Sequence, residues 1–254
     1  MKATEIQARR NAILTLLKTE HTMTVQQLVR QCHVSDETIR KDLRVLSQQG
    51  LVTKEFGKAS LVTASPLPPV GQRTDRFAAE KQALAQRALQ LLPVDPVTIA
   101  LDQGSTVAAL AHELNQMDNK IIVTSSLLSL LALRNTHNEL YSTGGKYSPS
   151  DMSFQGNSPR DLYQQIHVDF CFLGSSGIQG RQGLCSSSFA DAEMKREMIN
   201  NSAIKVALVD ASKFTQTSLV QVMPWTAIDY VITNMNPQAP ELLAIAAQTK
   251  VLTI

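Results

Sequence analysis

Apolar residues recur at helical spacing through the first fifty positions and in short strand-like runs beyond position seventy. Ile6, Ile13, Leu14, Leu16 and Leu17 predict a first helix over residues 6–18. Val25, Leu28 and Val29 give a second apolar stripe, and Ile39, Leu43 and Leu46 a third, so residues 24–50 read as two helices joined by a tight turn. Ser35 stands where an N-cap hydroxyl accepts an orphan backbone N–H, Asp36 and Glu37 lie at the positive end of the following helix, and Gly50 is placed to end it. Residues 51–62 then predict two short strands turning at Gly57. In Ser65-Pro-Leu-Pro-Pro-Val-Gly71 the prolines resist both helix and sheet, which predicts a linker.

Beyond it strands and helices alternate. Helical patterns at 77–92, 106–115, 127–135, from Pro159, 189–201 and 237–248 are interleaved with strand patterns at 97–101, 121–124, 139–142, 168–173, 205–209, 230–233 and 251–254. Runs such as Val-Asp-Phe-Cys-Phe-Leu173, mostly followed by small polar residues and a helix, predict a largely parallel sheet covered on both faces. The expected organisation is a small helical head ending in a hairpin over 1–62, a linker over 63–75 and a larger α/β domain over 76–254.

The DNA-binding assignment follows from the outer face of the third helix. With Ile39, Leu43 and Leu46 inward, Glu37, Lys41, Arg44 and Gln48 point outward, flanked by Arg40 and Thr38. A long, cationic, hydrogen-bonding face suits a major groove, and a β-hairpin directly after such a helix is the wing of a winged helix-turn-helix. Thr38, Lys41 and Arg44 are the base-edge candidates, with Ser35 at the helix start; Arg9, Arg10, Arg40, Lys54 and Lys58 are the phosphate candidates.

Charge sharpens this division. The net charge of +2 splits into +4 for residues 1–60 (ten Lys and Arg against six Asp and Glu) and −2 for the rest (fourteen against sixteen), so only the head suits a polyanion. With 43% hydrophobic and 18% charged residues, the chain has the material for a sizeable core and is not of disordered composition. Cys32, Cys171 and Cys185 are odd in number and lack metal-ligand spacing, which predicts reduced thiols in a cytoplasmic protein with no disulfide framework, metal or cofactor. The N-terminus lacks a secretory apolar core, and no apolar run is long enough to span a bilayer.

In parallel sheets ligands collect at the carboxyl ends of strands. Asp102-Gln-Gly104-Ser105-Thr106 ends one predicted strand, with hydroxyls at a helix N-terminus that favours an anion. Thr124-Ser125 ends a second, Gly144-Gly145 a third and Gly174-Ser175 a fourth; Asp210-Ala-Ser-Lys213 ends a fifth and brings an ammonium suited to phosphate. Together they predict a pocket for a small phosphorylated metabolite, with Ser105, Thr106 and Lys213 on the phosphate and Asp102 accepting sugar hydroxyls.

With these motifs in view, the sequence resembles the DeoR family of bacterial transcriptional regulators across essentially its whole length. The head resembles the family in Val34-Ser-Asp-Glu-Thr-Ile-Arg-Lys-Asp-Leu43, Leu46 and Gly50; the body resembles the family's sensor in Asp102-x-Gly-Ser-Thr106, Gly144-Gly145, Leu173-Gly174, Gly177-Ile178 and Asp210-x-Ser-Lys-Phe214. Three departures stand out: Lys41 where a second arginine is common, Phe56-Gly-Lys-Ala59 in place of His-Gly-Gly-Ala, and serine in Thr124-Ser125-Ser126 where asparagine is usual.

The resemblance implies an α/β sensor similar in fold to ribose-5-phosphate isomerase and coenzyme A transferases. It also implies repression of a carbohydrate-use operon, relieved by a phosphorylated sugar or polyol. The expected partners are double-stranded operator DNA and further copies of the chain, as a homodimer or homotetramer. One rival reading is a sugar-phosphate isomerase or transferase with an appended DNA-binding head, in which Asp169, Glu193 and Lys213 are the acid and base groups. Another makes the body an oligomerisation module that binds no metabolite.

Overall fold

The computed structural model describes residues 3–20, 22–48, 52–55, 57–61 and 68–254. The chain divides into two compact units, Met1–Ser65 and Pro66–Ile254.

In the first unit, α1 (Ala3–Glu20), β1 (Thr22–Thr24), α2 (Val25–Cys32) and α3 (Asp36–Gln48) precede β2 (Val52–Glu55) and β3 (Lys58–Leu61). Thr24 and Gln27 start α2 with a reciprocal capping box, the Gln27 N–H donating to Thr24 Oγ1 at 3.1 Å and the Thr24 N–H to Gln27 Oε1 at 2.7 Å. His33 follows in the left-handed conformation, and the Thr38 N–H donates to Ser35 Oγ at 3.3 Å at the start of α3. Ile13, Leu17, Leu28, Ile39, Leu43 and Leu46 fill the core between the helices. The wing is a three-stranded antiparallel sheet in the order β1-β3-β2, one strand more than the sequence pattern indicates, because β1 is too short to carry an alternation. Gly57, at φ 78°, supplies the left-handed residue between β2 and β3. Gly50, expected to end α3, Phe56 in the wing, residues 63–67 of the expected linker and the Lys54 side chain lie outside the described residues.

The second unit runs α4 (Val70–Thr74), α5 (Ala78–Leu89), β4 (Thr98–Leu101), α6 (Ser105–Glu113), β5 (Ile121–Thr124), α7 (Leu127–Ala132) and β6 (Glu139–Ser142). It continues through β7 (Lys146–Ser148), β8 (Ser153–Gln155), α8 (Asn157–Gln165), β9 (Val168–Gly174), β10 (Gly183–Ser186), α9 (Phe189–Asn200) and β11 (Ser202–Leu208). It closes with β12 (Val220–Pro224), β13 (Tyr230–Thr233), α10 (Pro240–Ala246) and β14 (Lys250–Thr253). Seven strands form one parallel sheet in the order β14-β13-β11-β9-β4-β5-β6.

Alternate residues of β9 face opposite layers: Phe170 and Phe172 pack with α5 and α6, Cys171 and Leu173 with α8 and α9. A strand buried on both sides therefore reads as a continuous apolar run. The chain winds outward from β4 through β5 and β6, returns beside β4 as β9, and winds outward the other way. Strand order thus reverses between β4 and β9, and a crevice at the carboxyl ends of such a pair is where ligands collect in open parallel sheets.

The expected linker over 63–75 extends too far. Residues 68–75 pack as part of the second unit: Val70 is fully buried, and its N–H donates to the Ser150 carbonyl at 2.9 Å. Lys81 Nζ donates to the Arg73 and Arg76 carbonyls. Proline immediately before a first helical turn removes no intrahelical bond, so Pro68 and Pro69, which look like breakers, lead into α4. The antiparallel pairs β7–β8 and β10–β12 were also not legible, being short and partly polar.

Candidate functional site

A cleft opens at the carboxyl ends of β4, β9 and β11, at the reversal of strand order. Gly104, Ser105 and Thr106 border it at the start of α6, Gly174 and Ser175 at the end of β9, and Lys213 in the 3-10 turn Ala211–Thr215. Gly104 holds φ 114°, closed to most L side chains, and so lets the chain turn from strand into helix at this wall. Burial lowers the pKa of the Lys213 ammonium; Asp210, at 3.9 Å, pulls it back up, while Arg73 and Arg76 add to the lowering. Gln103, Ser176 and Ser187 add hydrogen-bonding groups to the same cleft. Arg73 and Lys213 also border a second recess with Ser105, Arg76 and Ser212, so the cleft continues past them.

Its floor is a buried ion cluster that the sequence pattern did not expose. Lys195, on α9, is 3% exposed and is paired with Asp102 and, at 3.2 Å, with Asp191. The Gly174 N–H donates to Asp102 Oδ2 at 2.9 Å. Gln103 Nε2 donates to Asp191 Oδ1 at 2.6 Å, and Ser186 Oγ to Asp191 Oδ2 at 2.5 Å. Burial pushes the Asp102 carboxyl up to about 6 against the pull of Lys195. At Lys195 burial works toward a lower pKa, but Asp102 and Asp191 outweigh it and raise the ammonium's. One cation between two carboxylates ties α9 to the turns after β4 and β9.

Several expected site residues lie elsewhere. Asp102, expected to take sugar hydroxyls, is 1% exposed and already accepts from Lys195 and Gly174 beneath the cleft. Thr124 is fully buried, with Oγ1 donating to the Leu101 carbonyl at 2.8 Å and accepting from the Ser126 N–H. Ser125 borders a separate small recess with Phe154 and Gly156. Gly144 and Gly145 make the turn into the β7–β8 hairpin, where a Cβ on Gly145 would come within 2.7 Å of the Gln155 carbonyl oxygen. These residues follow β5 and β6, on the far side of β4 from the strand-order reversal, and that position is invisible in sequence.

In the head, the exposed face of α3 carries Lys41 and Arg44, and among the described residues neither makes an ion pair. Arg40 is exposed and paired along the helix with Asp36, whose hydrogen bond and charge raise its pKa. Thr38 Oγ1 lies 2.8 Å from Ser35 Oγ. Lys58 is exposed on β3. Arg9 and Arg10, expected at phosphates, instead join α1 to α3: their Nε atoms lie 2.6 and 2.9 Å from the two oxygens of Asp42, which is 2% exposed. A buried carboxylate needs counter-charge, and that need claims both guanidiniums.

Residues 9–65 match the model of the DeoR-like helix-turn-helix domain, and residues 76–235 that of the DeoR C terminal sensor domain. The chain belongs to the DeoR family. A DeoR-family head makes it a DNA-binding transcriptional regulator. It is 32% identical over 228 residues, 89% of each chain, to the HTH-type transcriptional regulator GolR of Listeria innocua. It is 31% identical over 239 residues, 93% of each chain, to the glycerol-3-phosphate regulon repressor of Escherichia coli. A ribose 5-phosphate isomerase from Methanocaldococcus jannaschii aligns with 54% of each chain at 19% identity and a TM-score of 0.40.

In this DeoR-family chain the acid and base groups required by the isomerase reading do not assemble. Asp169 lies at the opening of β9, its carboxylate taken by the Thr98 N–H at 2.7 Å and the Thr98 hydroxyl at 2.6 Å. Those bonds lower its pKa. Lys213 follows the carboxyl end of the neighbouring strand β11, and Glu193 is an exposed residue of α9. No helix among the described residues is long and apolar enough to cross a membrane.

Proposed function

We propose that this DeoR-family regulator represses a carbohydrate-use operon and is released when a phosphorylated sugar or polyol enters the cleft. The observation that carries the reading is the meeting of Ser105 and Thr106, at the positive end of α6, with the Lys213 ammonium across one crevice. Helix dipole, hydroxyls and cation all favour an anion there, while the Ser176 and Ser187 hydroxyls and the Gln103 side-chain carbonyl offer partners to sugar hydroxyls. Repression is supported by the name of the Escherichia coli relative. The protein acts in the cytoplasm as a homodimer or homotetramer, so that paired α3 helices read the half-sites of a repeated operator through Thr38, Lys41 and Arg44. It is not an enzyme.

A ligand that binds only the folded form raises its melting temperature. The test is a thermal-stability screen of hexose, pentose and polyol phosphates on the full chain, followed by operator binding at fixed salt for each compound that stabilises. The expected result is stabilisation by a phosphorylated compound, absent with its unphosphorylated parent, together with loss of operator binding. A body that serves only for oligomerisation gives no stabilisation by any of them.

A further inference from the structure

Residues 68–77 form a strap at the border of the cleft, Pro68, Arg73, Arg76 and Phe77 lining its recesses. Val70 anchors it in the core and its N–H donates to the Ser150 carbonyl, while Lys81 holds its far end by the Arg73 and Arg76 carbonyls. Between these anchors Arg73 borders both recesses of the cleft, with Ser105 and Lys213. Its Nε donates to the strap's own Pro68 carbonyl at 2.9 Å, and no group among the described residues takes its two terminal nitrogens. Among the described residues it makes no ion pair; burial lowers its pKa against the pull of Asp151, which borders the same cleft, and of Asp191 and Asp102. A half-buried guanidinium with an unengaged fork, beside a lysine and two hydroxyls, has the geometry for two parallel hydrogen bonds to a phosphate.

We propose that Arg73 is an effector-binding residue supplied by this strap, so that a bound phosphate fastens the segment through which the chain enters the sensor from the DNA-binding head. The proposal rests on the cleft being the phosphate site. Ser105 and Thr106 open α6 directly after β4, and Lys213 lies in the turn directly after β11, so both are carried by strands of the central sheet, whereas Arg73 lies on α4, which follows no strand of that sheet. Occupancy therefore changes the order of the strap more than that of the opposite wall, and differential order between bound and free states is what moves a conformational equilibrium. A ligand held by the wall alone would bind without signalling.

The test measures amide hydrogen exchange of the full chain with and without inorganic phosphate and a panel of hexose and polyol monophosphates. Each compound is also scored for its rise in melting temperature. A compound that raises the melting temperature is expected to slow exchange within residues 70–77, by up to about 100-fold at roughly 100 times its Kd. Arg73→Ala removes that slowing and weakens operator release by about tenfold or more, the loss expected for a charge-assisted bond. Arg73→Lys, which keeps the charge without the fork, restores part of both. Stabilisation with exchange at 70–77 unaltered in the unmodified protein overturns the strap while leaving the cleft in place. No stabilisation by any compound removes both.

Discussion

At Lys195 a full positive charge sits almost out of reach of water and is kept there by two carboxylates. Removing the cation leaves both acids buried without a counter-charge, so Lys195→Met is expected to cost about 3–5 kcal/mol in denaturant unfolding. The cluster also predicts a pH dependence. A carboxyl whose folded pKa exceeds its unfolded value binds its proton more tightly when folded; its stabilisation is complete below the unfolded pKa and is lost as the pH rises through the folded one. For Asp102 that window runs from 3.8 to about 6. Asp102→Asn removes this titration, so the difference in stability between the unmodified protein and the variant should change across the window and level off above it; a flat difference would mean that Asp102 does not titrate there. On α3, Arg44 faces outward without an ion-pair partner among the described residues. If it forks onto a guanine, Arg44→Ala costs about 1–3 kcal/mol and relaxes preference at one base position, measured by binding to single-base operator variants. A loss uniform across all sequences assigns it to a phosphate. Arg44 was legible because a recognition face is a helical period; Lys195 was not, because its partner Asp102 lies on a different element and the local pattern of α9 shows only a charged residue four positions from Asp191.

Among the elements, α2 and α3 could be read in advance because each combines an apolar stripe with its own start signal, the Thr24 capping box and the Ser35 hydroxyl. The way α1 meets them could not, since it depends on Arg9 and Arg10 reaching Asp42 on another helix. The β10–β12 pair is similarly hidden. Its register passes through Gly183, opposite Pro224, where an added Cβ would fall 1.9 Å from the Met223 carbonyl oxygen. There is no flexible side chain to give way, so Gly183→Ala must push the two backbones apart. An overpacking cost of about 1–3 kcal/mol in unfolding free energy is expected. An unaltered unfolding midpoint would show that the pair separates freely.

For the molecule as a whole, the unequal charge of its two parts sets how it meets DNA. Displacing counterions makes the logarithm of affinity fall linearly with that of salt concentration, by about 0.9 for each phosphate neutralised. If exposed Lys58 of the wing is one such contact, Lys58→Ala lowers the slope by about one and weakens binding to all sequences alike. An unchanged slope takes Lys58 out of the interface. The sequence by itself determined the division into a cationic reader and an α/β sensor, because periodicity, capping and charge are properties of neighbouring residues. It also placed hydroxyls, glycines and a lysine after five strands. Only the tertiary structure decided which of those strand ends converge, since strand order, and with it the reversal between β4 and β9, is fixed by which strands pair across long stretches of chain. The same long-range pairing sank Asp102 beneath the cleft onto Lys195 and brought Arg73, from what reads locally as a linker, to its border.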